Sequence, residues 1–163
     1  MKVDFINSSY RRYFQAHAEE IMAAIRKCFE LGNFVLRQDV EEFERNIAKF
    51  LGVKYAVGVN SGTDALKLAY KALGCGPGDE VITVGHTFIA SIQEIVHLGA
   101  TPILIDVGED GLMDVNLIEQ AITSKTVGIV PIHLSGKVCD MDKIMAIAKK
   151  HKLWVVEDAC QAL

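Results

Sequence analysis

The chain has 163 residues, 50% of them hydrophobic and 23% charged, the balance of a globular protein that buries a core and not of a disordered or fibrous one. Its formal net charge of -4 is spread over both signs, without the basic stripe that a nucleic acid or an anionic membrane surface would select. Neither a bilayer-spanning apolar run nor a signal-like opening is legible, since Met1 to Phe5 already carry an acid, so the expected location is the cytoplasm. Four cysteines, Cys28, Cys75, Cys139 and Cys160, are too irregularly spaced for a zinc ribbon or dithiol motif and read as reduced thiols. The five histidines form no ligand pair, and no metal is expected. His151 suits the negative end of a helix, and His97 reads as packed or solvent-facing.

In chain order, Ile21, Met22, Ile25, Cys28 and Phe29 recur at helical spacing and predict a helix from Ala18 to Leu31, capped by Gly32. A second helix is predicted from Asp39 to Leu51, with Val40, Phe43, Ile47 and Phe50 on one face and Gly52 at its end. Residues 1-52 therefore read as a helical segment. The remainder, 53-163, alternates β-rich runs with helices. Strands are expected at Tyr55 to Val59, Glu80 to Val84, Pro102 to Asp106, Thr126 to Ile132 and Leu153 to Glu157. Helices are expected near Asp64 to Leu73, Phe88 to Leu98, Asp114 to Ile122 and Asp140 to His151. This alternation predicts an α/β fold with a mostly parallel sheet and helices on both faces.

Ligands gather at the carboxyl ends of such strands, so the residues that follow each strand carry the functional information. After the first expected strand come Ser61, Gly62 and Thr63, opening directly into a helix whose first amides and dipole suit a phosphate. Alone, such a tripeptide more often just caps its helix. The glycine-rich stretch Gly74 to Asp79 has the wrong order for a nucleotide loop, because it follows a helix and precedes a strand. After the second expected strand, Phe88 places a ring at a helix start, which by itself is usually core or a hydrophobic staple. After the last strand, Asp158 puts an acid at the same sheet edge, with Gln161 nearby.

Together these ends offer an anion cradle, a stacking surface and a carboxylate. A phosphate-bearing pyridine ring needs all three: the phosphate held, the face covered, and the ring nitrogen kept protonated by an adjacent negative charge so that the ring withdraws electrons.

At these residues the sequence resembles the DegT/DnrJ/EryC1/StrS family of sugar aminotransferases nearly end to end. The likeness runs through Gly32-Asn33-Phe34-Val35-Leu36, Phe43-Glu44, Val59-Asn60-Ser61-Gly62-Thr63-Asp64-Ala65-Leu66 and Gly76-Pro77-Gly78-Asp79-Glu80-Val81-Ile82. It continues through Thr87-Phe88-Ile89-Ala90, Pro131-Ile132-His133-Leu134 and Glu157-Asp158-Ala159-Cys160-Gln161-Ala162. The resemblance implies the aspartate-aminotransferase type of fold, of which 53-163 would be an incomplete large domain, and pyridoxal 5'-phosphate as cofactor. It implies that Gly62 and Thr63, with Ser61 beside them, bind the phosphate, that Phe88 stacks on the ring, that Asp158 pairs with the pyridine nitrogen and that Gln161 lies near the phenolic oxygen. Substrates would be a nucleotide-linked keto sugar and an amino-acid donor, glutamate by expectation, in a homodimer that completes each site from both subunits.

Three departures from the family pattern stand out. Arg37 occupies a position where glycine is common, Gly85 one where proline is common, and Val138-Cys139 replace a common Pro-Ala. The family's catalytic lysine falls after the Glu157 to Gln161 motif and has no counterpart in this chain, since Lys137 lacks the accompanying motif. The 163 residues are therefore expected to be inactive by themselves. Two other readings follow from the same absence: a sugar dehydratase on this scaffold, using the amine form of the cofactor, and a non-catalytic binding module.

Overall fold

The computed structural model describes residues 5-32, 34-35 and 37-162. Met1 to Asp4, the Asn33 and Leu36 of the quoted motif, and Leu163 lie outside the described residues. The chain divides into two compact units, Met1–Gly58 and Val59–Leu163.

In the first unit α1 spans Phe5–Leu31, starting well before the expected Ala18. Tyr10, Tyr13, Phe14 and His17 continue the helical spacing, and the rings of Tyr13 and His17 lie 4.7 Å apart. Gly32 ends the helix with a φ of 64° and an N–H bonded to the Phe29 carbonyl, the left-handed cap its sequence predicts. Helix α2, Gln38–Leu51, begins with Asp39 and Glu41 in its first turn and closes on Gly52, charges and cap both suiting the helix dipole. Arg37, one of the departures noted above, forms an ion pair with Asp39.

The stretch Tyr55 to Val59 is not a strand, contrary to expectation. Its β-rich composition supplies propensity, but a strand exists only through a ladder, and none of the described strands pairs with it. Tyr55 and Val57 are exposed, and the Gly58 N–H instead donates to Glu44 Oε1 at 2.6 Å.

The second unit is built on four parallel strands: β1 (Glu80–Val84), β2 (Thr101–Ile105), β3 (Thr126–Ile129) and β4 (Trp154–Val155), in the order β2-β1-β3-β4. Helix α3 (Gly62–Ala72) precedes the sheet, α4 (Ala90–His97) joins β1 to β2, α5 (Ile118–Ala121) lies before β3, and α6 (Met141–His151) joins β3 to β4. The chain moves one way from β1 to β2 and the opposite way from β2 through β3 to β4. Right-handed crossovers therefore put α4 on one face of the sheet and α5 and α6 on the other. The same reversal makes a switch point between the carboxyl ends of β1 and β3, where ligands characteristically bind in open α/β sheets.

The core follows the central strands. Val81 and Ile82 of β1, Ile129 of β3, and Tyr70, Ile95, Ile118 and Ile144 from the helices are completely buried. Gly128 is required by packing: a Cβ there would stand 2.3 Å from the Trp154 ring, which stacks on Tyr70 at 5.9 Å between centroids.

Several predicted elements are shorter than their apolar runs. β2 instead keeps its expected length, shifted by one residue to end at Ile105, and is partly exposed, as an edge strand must be. β3 stops at Ile129 because Pro131 has no N–H to give the ladder; pairing returns only as an isolated bridge between Ile132 and Asp158. β4 keeps two residues of the expected five. The helix expected from Asp114 to Ile122 resolves into a 3-10 turn, Val115–Leu117, capped by Asp114, and the short α5. The helix expected from Phe88 begins at Ala90.

Candidate active site

A cleft of about 200 Å³ opens where the carboxyl ends of the strands meet the start of α3, and Gly62, Thr63, Phe88, Asp158 and Gln161 all line it. The topology explains the convergence. Gly62 and Thr63 begin α3, Phe88 sits on the loop after β1, and Asp158 and Gln161 follow β4, so three chain segments deliver five side chains or amides to one place.

At the α3 start, the amides of Gly62 and Thr63 are the first two of the helix and have no intrahelical acceptor by construction. They form, with the dipole, a site suited to an anion. Gly62 is tightly constrained: a Cβ would lie 2.7 Å from the Cys160 sulfur, so any other residue would push into the cleft wall. Ser61 is the one candidate that does not line the cleft. Its hydroxyl caps α3, accepting from the Asp64 N–H at 3.1 Å and donating to Asp64 Oδ2 at 3.0 Å.

Asp158 is buried, and its two carboxylate oxygens are held separately. Oδ2 accepts the Ser91 hydroxyl at 2.6 Å, and Oδ1 accepts the Cys160 amide at 3.2 Å. An ionised carboxylate has acceptor capacity beyond these two bonds, which leaves a charge on the cleft wall able to take a further donor. The backbone of Asp158 is equally fixed, its N–H bonded to the Pro131 carbonyl and its carbonyl to the His133 N–H.

Phe88 is 68% exposed, so most of its surface lies outside the core and is free to cover a flat ligand. Gln161 Oε1 accepts the Ser135 N–H at 2.7 Å. That bond orients the carboxamide and leaves its NH2 group as the available donor. Ser135 makes the bond from a left-handed backbone, φ 56°, a conformation costly for a residue with a Cβ.

Several residues of this wall carried no role in the sequence reading. His133 is buried and lines the cleft. Its Nδ1 accepts the Cys139 N–H at 3.2 Å, so its proton resides on Nε2 and is donated to Glu157 Oε2 at 2.8 Å. Cys139, the second half of the Val138-Cys139 departure, is buried, and that burial raises its thiol pKa. Ser91 is fully buried, and Tyr70 donates to the Ser91 carbonyl at 3.2 Å. Burial, reinforced by the charge of Asp158, pushes the Tyr70 phenol well up. The one available signal was spacing: Ser91 falls four positions before Ile95, on the face of α4 that is buried, so a hydroxyl there calls for a partner.

The Cys160 thiol is raised by burial and by its hydrogen bond to Asp158, which disfavours a thiolate nucleophile in the cleft. Lys137 donates to the Asp110 carbonyl at 3.3 Å, and among the described residues no lysine lines the cleft.

A parallel sheet with a helix start open to an anion, an exposed ring and a buried acid at its switch point presents a cleft where open α/β sheets characteristically bind ligands. Residues 15–163 match the DegT/DnrJ/EryC1/StrS aminotransferase family, and the chain belongs to that family. It is 41% identical over 155 residues to the dTDP-3-amino-3,4,6-trideoxy-alpha-D-glucose transaminase of Micromonospora megalomicea, covering 94% of this chain and 41% of that relative. The X-ray structure of S. venezuelae DesV in complex with ketimine intermediate superposes with a TM-score of 0.90 at 42% identity, over 93% of this chain and 41% of that one. The Bacillus subtilis ntda structure with bound cofactor PMP gives a TM-score of 0.88 at 37% identity, covering 91% and 34% of the two chains. The chain thus spans well under half the length of these relatives.

Proposed function

We propose that this chain supplies the cofactor-holding part of an enzyme that transfers an amino group, with glutamate as donor, to a nucleotide-linked keto-deoxysugar, using pyridoxal 5'-phosphate. The observation that carries the reading is the convergence of Gly62, Thr63, Phe88, Asp158 and Gln161 on one cleft at the switch point of the sheet. The names of the transaminase from Micromonospora megalomicea and of its family point to the same chemistry.

The residues fit the cofactor. The amides of Gly62 and Thr63 receive the phosphate, and the missing Cβ of Gly62 lets it approach beside Cys160. Phe88 covers one face of the ring. Asp158, anchored through both oxygens, keeps a proton on the pyridine nitrogen, because a neighbouring negative charge favours the protonated form. Gln161, oriented by Ser135, turns its NH2 toward the phenolic oxygen. When bound, the cofactor serves as the electron sink for a carbanion at the carbon that exchanges its amino group.

No described lysine lines the cleft, so the proton transfers at the reacting carbon are assigned to a group outside this set. The 163 residues are accordingly expected to hold the cofactor without turning it over, and the intact enzyme is taken to be a homodimer. The test is turnover: the purified chain, given glutamate and a dTDP- or UDP-linked 3-keto sugar, should yield no amino sugar. A longer version carrying a downstream lysine should yield it. Amino-sugar formation by the short chain would overturn the inactivity assigned to it, and failure of a lysine-bearing longer version would overturn the transaminase reading.

A further inference from the structure

We propose that Ser91 is a positioning residue for the reaction, fastening the acid that faces the cofactor ring to the turn that carries the stacking ring. This rests on the reading of the cleft as a pyridoxal-phosphate site.

The hydroxyl of Ser91 has one proton and three neighbours: Asp158 Oδ2 at 2.6 Å, Thr87 Oγ1 at 2.9 Å and the Phe88 carbonyl at 3.3 Å. Asp158 as a carboxylate only accepts, and a short O–H···O⁻ bond is much the strongest of the three. The Ser91 proton therefore goes to Asp158. It follows that Thr87 is the donor in the Thr87–Ser91 contact, so the hydroxyls form a directed chain, Thr87 to Ser91 to Asp158.

This chain joins two different parts of the fold. Thr87 and Phe88 belong to the loop after β1, Ser91 to the first turn of α4, and Asp158 to the segment after β4. Ser91 itself is held from behind, since its carbonyl accepts the Tyr70 hydroxyl from α3. Burial keeps that phenol neutral. Of the other titratable groups on this wall, His133 is committed to Glu157, while the Cys160 thiol shares the Asp158 carboxylate from within the same segment. Among the described residues Ser91 is the side chain that ties Asp158 to α4, across 67 positions of sequence. Fixing Oδ2 limits rotation of the carboxylate about its own axis and presents Oδ1 at a constant place. A ring nitrogen gains its full pairing energy only from a carboxylate held in that orientation.

The probe is pyridoxamine 5'-phosphate, whose binding needs no lysine, labelled with 15N in the ring and titrated with pH on the 163-residue chain. The ring-nitrogen shift reports protonation directly, independent of turnover. In the unsubstituted chain the bound nitrogen is expected to hold its proton to higher pH than the free compound. Ser91→Ala should lower that midpoint by about one pH unit and weaken binding roughly tenfold. Ser91→Cys, of similar size but a weak donor, should do the same, which separates the loss of the hydrogen bond from the opening of a cavity. Thr87→Val, which leaves the Ser91 proton on Asp158, should move the midpoint by less than half as much.

An unchanged midpoint in both Ser91 variants would overturn the positioning role. A raised midpoint would also overturn it, by showing that Ser91 only drains charge from Asp158. Ordinary binding by the unsubstituted chain with no protonation shift relative to free compound would remove the role of Asp158 and with it the proposal. Absence of any binding would sink the cofactor reading itself.

Discussion

The two units of the chain carry similar shares of apolar residues and use them in opposite ways. In Val59–Leu163 the apolar positions close into one core, with Ile82, Ile129, Ile118 and Ile144 completely buried. In Met1–Gly58 the helices form with well-marked apolar faces, yet Phe43 is 60% exposed, Phe50 75% exposed, and Ala48 is the one buried residue among those described. Helical periodicity therefore marks the helices of both units, but only the second encloses its apolar faces, against a sheet. Local pattern and capping specify an element; a core requires a second layer to pack against it.

This contrast has measurable consequences, the largest in the second unit. Ile82→Ala, at the centre of β1, should cost about 2–5 kcal/mol through lost burial and the cavity left behind, visible as a lower denaturant midpoint at unchanged slope. Loss below about 1 kcal/mol would mean that the central strand is not the core. Tyr70→Phe should be milder, about 1 kcal/mol at neutral pH for the bond to the Ser91 carbonyl. It carries a pH signature as well. The Tyr70 pKa is raised in the folded chain from an ordinary value of 10.0, so the unfolded phenol loses its proton first as pH rises. The unfolded state then binds fewer protons, and stability is present below pH 10 and declines above it. Tyr70→Phe should flatten that part of the alkaline decline. Smallest of all, Phe50→Ala in the first unit should shift stability by no more than about 0.5 kcal/mol. A larger loss would show that this face packs against something.

The fold was largely legible in the sequence because β1, β3, α3 and α6 carry their signals locally, in apolar runs and caps such as Ser61 and Asp140. What misled was pairing, which no single segment records. Tyr55 to Val59 has the composition of a strand and no described strand partner, and the run through Ile132 breaks because Pro131 cannot donate. The site divides in the same way. Gly62, Thr63, Phe88, Asp158 and Gln161 were visible as residues that follow strands, and the folded chain brings them into one cleft. Ser91, Tyr70 and His133 were not, because their roles depend on contacts across 67, 21 and 24 positions of sequence. A serine in the first turn of a helix looks ordinary until a carboxylate from the segment after β4 is found against it.

The central claim is that the second unit's cleft holds the cofactor by its phosphate, ring face and ring nitrogen together. Calorimetric titration of the chain with pyridoxamine 5'-phosphate tests it most directly, alongside unphosphorylated pyridoxamine and the variants Asp158→Ala and Phe88→Ala. The account predicts one site per chain for the phosphorylated compound, at least tenfold weaker binding of pyridoxamine and of Asp158→Ala, and a smaller loss for Phe88→Ala, about 1 kcal/mol in line with one ring contact. Equal binding of both compounds, or affinity untouched by Asp158→Ala, would contradict it.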